Sequence, residues 1–81
     1  MPSYYETLAE ALRRRIAVIH DHELRDRDPA AHLEQLKNAS ERIEALKTTL
    51  PTDASPQLKH FLDRASFDKA LAFVESEHLA R

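Results

Sequence analysis

Between Asp28 and Pro51 the chain carries an apolar spacing that a helix satisfies and a strand does not. Leu33, Leu36, Ala39, Ile43, Leu46 and Leu50 recur at steps of three and four. On a helix of 3.6 residues per turn they fall within roughly 140° of arc, while Glu34, Asn38, Glu41, Arg42 and Thr48 take the other side. Both ends are marked. Asp28 can accept a hydrogen bond from the first turn, and Pro29 fits the first helical position, where no N–H is required. Leu50 precedes a proline and is pushed out of the helical region. A helix over 29–50 cannot bury its own stripe, so the segments on either side of it must do so.

The preceding segment reads as a second long helix, over about 4–25. Ser3 followed by Glu6 matches a capping box, and nothing breaks the pattern before Arg25. Tyr5, Leu8, Leu12, Ile16 and Ile19 form one apolar stripe. A second lies beside it at heptad steps, through Tyr4, Ala11 and Val18, with Arg15 and His22 interrupting and extending it. Together the stripes cover about 200° of surface, more than one packed neighbour needs. One reading is a central helix with partners on two sides. The other is that the second stripe meets another copy of the chain. The segment Leu24–Asp28 reads as a short charged turn, which makes the two long helices an antiparallel hairpin.

Residues 51–55 read as a linker. Ser55 before Pro56 again places a cap ahead of a helix-opening proline, and a third helix is expected over about 56–65 with Leu58, Phe61, Leu62 and Ala65 on one face. Continuing that face would bury Lys69, while Phe67, Ala70, Leu71 and Val74 lie on the opposite side. The spacing therefore predicts a break at Ala65-Ser66, with the Ser66 side chain capping a fourth helix over about 67–78. The competing pattern is one continuous C-terminal helix. The expected fold is thus all-α: a single domain over 1–81, with two short helices packed on a hairpin of two long ones.

Composition narrows the function. Glycine is absent, which removes phosphate-binding loops and dinucleotide fingerprints, since both need close backbone approach. Cysteine is also absent, which removes disulfides and thiolate zinc sites and suits a reducing, cytoplasmic setting. The N-terminal residues lack the basic-then-apolar order of a secretory signal. The longest aliphatic run, Ile16–Ile19, is far short of a membrane span. A net charge of −2 supplies no long-range attraction to nucleic acid.

Three chemistries are suggested by local residues. The cluster His20-Asp21-His22-Glu23 and the pair Glu75/His78 raise a carboxylate–histidine metal site, but a di-iron bundle needs a second Glu-x-x-His and two further glutamates. Arg13-Arg14-Arg15 raises nucleic-acid binding, with Arg25 and Arg27 adding to it, yet consecutive helical residues point about 100° apart and do not make one patch. No nucleophile, base and orienting group fall at spacings that bring them together, so no catalytic residues are assigned and the chain is not expected to be an enzyme. The function expected first is a non-enzymatic protein–protein interaction module, self-associating as a homodimer or binding another protein. Tyr4, Ala11, Arg15, Val18 and His22 carry the interface. Nucleic-acid binding through the arginines of the first helix is the alternative, and metal binding comes after it. No cofactor and no small-molecule substrate are expected.

Overall fold

In the computed structural model, which describes residues 3–79, the chain is all helical, with no strand among those residues. Helices α1 (Tyr4–Ile19), α2 (His22–Arg27), α3 (Pro29–Thr48), α4 (Pro56–Asp63) and α5 (Phe67–Val74) follow in order, and α5 runs on into a π-helical turn over Glu75–Leu79. α1 and α3 pack side by side as an antiparallel pair. Tyr4 reaches Leu46, Arg15 reaches Ser40 and Val18 reaches His32, so partner numbers fall along α3 as they rise along α1. α5 lies on a second side of α1, with α4 beside it. α1 is therefore central, and its two stripes face two neighbours within one chain.

The first long helix is shorter than its sequence suggests. α1 stops at Ile19, and His20-Asp21 forms a turn in which the Asp21 N–H donates to the Val18 carbonyl at 3.1 Å. The Asp21 carboxylate then accepts from the Leu24 N–H at 3.1 Å and starts α2. A short acidic side chain competes well for backbone donors, and here it opens α2 directly after the end of α1. The charged segment after it is thus a helix of 6 residues rather than a turn. Asp28 joins α2 to α3 with a single extended residue. Its N–H donates to the Leu24 carbonyl at 2.7 Å, and its carboxylate accepts from the Ala31 N–H at 3.1 Å. The cap-then-proline start of α3 is as the sequence implies. The helix ends at Thr48, two residues short of the expected boundary, where the Thr49 and Leu50 N–H groups bond back to Leu46 and Lys47.

The C-terminal break is also real, but its mechanism differs from the expected one. The Ser66 side chain makes no capping hydrogen bond. Instead Ala65 takes φ 57, in the left-handed region. Its N–H donates to Leu62 at 3.1 Å and the Ser66 N–H to Phe61 at 2.8 Å, the paired bonds of a Schellman ending. Glycine usually holds that position. A chain without glycine puts alanine there, at a cost of about 1–2 kcal/mol from the Cβ clash. Ala65 is exposed rather than on the buried face of α4.

Leu8, Leu12, Ile43, Leu58 and Val74 are fully buried and bring together α1, α3, α4 and α5. Each such side chain contributes roughly 1.5–3 kcal/mol when taken out of water. An aromatic group closes the same end of the molecule. Tyr5 stacks on His78 at 3.6 Å, and Phe73 meets Phe61 at 6.3 Å, edge to face. Phe73 is thereby half-buried.

Leu33 departs from the expected core. It is 66% exposed, and His32 takes the place facing α1 with 9% exposure. The seam on α3 runs through His32, Leu36, Ala39, Ile43, Leu46 and Leu50 at alternating steps of four and three. Leu33 sits about 100° to one side of it.

Candidate functional site

The stripe on which the sequence places an interface is mostly engaged within the chain. The Tyr4 hydroxyl donates to the Leu46 carbonyl at 2.6 Å. Ala11 is 6% exposed and Val18 4%. The Val18 carbonyl bonds the His32 ring at 2.8 Å, and the Arg15 Nε donates to the Ser40 hydroxyl at 3.2 Å. Four of the five residues thus form the α1–α3 seam. His22 alone is exposed, in the first turn of α2. A heptad stripe is what one helix shows to an antiparallel neighbour, and α3 is that neighbour.

The arginines and histidines scatter. Arg13 pairs with Glu75 at 3.3 Å, Arg27 with Glu23 at 3.8 Å, and Arg25 lies 4.0 Å from Asp26. Arg14 turns to the outer side of the hairpin, where it and Arg42 rim a groove of about 440 Å³ floored by Ala11 and Ala39. No group of three histidine or carboxylate side chains able to hold a metal gathers among the described residues. Glu75 and His78, the two ends of the Glu-x-x-His spacing, go to Arg13 and Tyr5 respectively.

What the fold does bring together lies at the other end of α1. Arg15, Ile16, Ile19 and His20 face Ala65, Phe67 and Asp68 across a cavity of about 330 Å³. The Schellman ending of α4 places Phe67 there by turning the chain sharply into α5. The Arg15 guanidinium lies 4.6 Å from the centre of the Phe67 ring, a cation–π distance. With Ser40 on Nε and Phe67 on its face, Arg15 is half-buried, and it takes part in no ion pair among the described residues. Its two terminal nitrogens make no hydrogen bond among the described residues, and a planar fork of this kind is the geometry in which arginine binds carboxylates.

Aliphatic surface adjoins this guanidinium. Ile19, in the cavity wall, is 38% exposed. Leu33 shares a side of α3 with Ser40 and Lys47, which follow it at seven-residue steps. Ser40 accepts from Arg15, and Lys47 pairs with Asp63 of α4 at 3.1 Å. α4 approaches that side of α3 at Lys47. Leu33 and Ile19 are the two large aliphatic side chains left exposed among the described residues.

Sequence reasoning missed Phe67 as a platform, since it read as core, and His32 as a seam residue, since Leu33 beside it read as the stripe position. The alternating four-and-three step through His32 was present in the sequence and could have identified it.

Two groups at the closed end have shifted ionisation. Burial, and after it the adjacent Tyr5, push the Tyr4 phenol above its usual value. The hydrogen bond to Asp63 raises Lys47, against a smaller opposing effect of burial, and the Glu44 and Asp63 carboxylates add to the rise. No helix among the described residues is long and apolar enough to cross a membrane. Comparison with known protein families, with curated proteins and with solved structures finds no match for this chain.

Proposed function

We propose that this chain is a non-enzymatic protein-interaction module, and that its partner seats on the open end of the bundle rather than on the heptad stripe of α1. One observation carries the reading. Ile19 and Leu33 are left 38% and 66% exposed, and Ile19 lines the cavity between the end of α1 and the start of α5. Apolar surface rimmed by polar groups beside a formed cavity is where protein partners commonly seat.

The test uses the double variant Ile19→Asp/Leu33→Asp. Both positions are accessible, so the variant should stay folded, with stability changed by less than about 1 kcal/mol. Affinity capture from extract of the native cell, comparing wild type with the variant, should return proteins that the variant does not. An identical set from both chains, with the variant folded by circular dichroism, would overturn the proposal.

A further inference from the structure

We propose that the groove of about 440 Å³ formed by α1 and α3 binds the carboxylate of a small organic acid between Arg14 and Arg42. Neither α4 nor α5 contributes to its walls, so the site is separate from the open end of the bundle and does not depend on the interaction reading above.

The two walls of this groove repeat one pattern. Tyr4 meets Leu46 and Val18 meets His32, and Ala11 and Ala39 each lie seven residues from both contacts on their own helix. Antiparallel packing therefore sets the two alanines opposite each other, where they form the floor and are 6% exposed. Each is preceded by a polar residue and followed, three positions on, by an arginine: Glu10-Ala11 with Arg14, and Asn38-Ala39 with Arg42. On a helix these positions share one face. An approximate two-fold axis through the alanine pair exchanges the walls and places the arginines at diagonal corners of the groove.

The repeat is broken at one place, and the break sets the charge. Where α1 has Glu10, four residues before Arg14, α3 has Asn38, four residues before Arg42. An acid at that spacing is the ordinary helical partner of an arginine, and Arg42 lacks one. Its other neighbours at three and four positions, Ala39, Ala45 and Leu46, carry no charge. Neither Arg14 nor Arg42 joins an ion pair or a side-chain hydrogen bond among the described residues, whereas Arg13 has Glu75. Two guanidiniums line the groove with one carboxylate, which leaves a positive charge without a counter-charge in a chain whose overall balance is −2. An incoming carboxylate supplies the missing one and accepts paired hydrogen bonds from a planar fork. The Gln35 and Asn38 amides on the same wall can both donate and accept, which suits an acid that carries an amide or hydroxyl beside its carboxylate. The volume is that of a small-molecule site.

The probe is N-acetylglycine, a carboxylate beside one amide, titrated into the isotope-labelled full chain and followed by NMR. The Nε–H signals of Arg14 and Arg42 should shift saturably, with a Kd of about 1–10 mM, and sodium chloride at equal concentration should not reproduce the shift. Three variants test the charge argument. Asn38→Glu supplies the missing acid from within the chain and should weaken binding about 10-fold. Arg42→Gln should weaken it by a similar factor. Glu10→Gln removes the competing carboxylate and should tighten binding by about 3- to 10-fold. All three positions are exposed, so the variants should keep the fold, which their spectra report directly. No saturable shift, a shift that chloride reproduces, or a Glu10→Gln chain with unchanged affinity overturns the site. Inorganic phosphate binding more tightly than N-acetylglycine makes a phosphoryl group the ligand and overturns the carboxylate. None of these outcomes bears on Ile19 and Leu33, so the interaction reading stands or falls by its own test.

Discussion

The two ends of the α1–α3 hairpin are built from similar residues and have different fates. At the Tyr4 end, Leu8 and Leu12 of α1 and Ile43 of α3 are covered by α4 and α5, and none exceeds 1% exposure. At the Ile19 end, the same kind of residue stays in water. α4 and α5 have 8 residues each, about 12 Å of helix, against 20 residues and about 30 Å for α3. They can cover only part of the hairpin, and the Schellman turn at Ala65 sets where coverage stops. Burial here depends less on the hydrophobicity of a residue than on whether a third helix reaches it.

Truncations should separate the ends most strongly. Leu12→Ala leaves a cavity under α5 and should cost about 2–5 kcal/mol in urea or guanidinium unfolding. Leu33→Ala should change stability by less than about 0.5 kcal/mol. Comparable losses at both positions would mean that the open end is covered in solution, and would break the comparison.

The turn between the ends gives a smaller effect of opposite sign. Ala65→Gly removes the left-handed strain at φ 57 and should stabilise the chain by about 0.5–1 kcal/mol, once the greater freedom of glycine in the unfolded state is deducted. Ser66→Ala should be neutral within about 0.5 kcal/mol, because the hydroxyl caps nothing. A loss near 1 kcal/mol for Ser66→Ala would restore the side-chain cap that the sequence suggests.

The least effect is expected from alkaline pH, and it belongs to the closed end. Tyr4 and Lys47 both hold their protons more tightly in the folded chain. The stability this provides is fully present below the unfolded values, near pH 10, and is lost as pH rises through the folded ones. Denaturation midpoints taken from about pH 8 to about pH 11 should fall at the upper end, and fall less in Tyr4→Phe, which keeps the ring but has no phenol to titrate. A midpoint independent of pH would show that neither contact persists in solution.

Local chemistry alone determined most of the secondary structure. Asp28-Pro29 and Ser55-Pro56 each combine a side-chain acceptor with a proline that requires no N–H, so α3 and α4 begin where their sequences say. The break before α5 was legible because Lys69 could not share the apolar face of Leu58 and Leu62. The length of α1 was less legible, since Asp21 restarts the chain as α2 by capping the Leu24 N–H, and nothing in apolar spacing reports that. The partners of each stripe were decided only by tertiary structure. Tyr4, Ala11, Arg15 and Val18 form a pattern that suits a second copy and an intramolecular neighbour equally well, because both present the same ridges and grooves to a helix. Which one fills the seam depends on the turn at α2 folding α3 back along α1. The candidate site was likewise beyond the sequence. Arg15, Ser40 and Phe67 are far apart in the chain, and they meet only because α3 and α5 pack on two sides of α1.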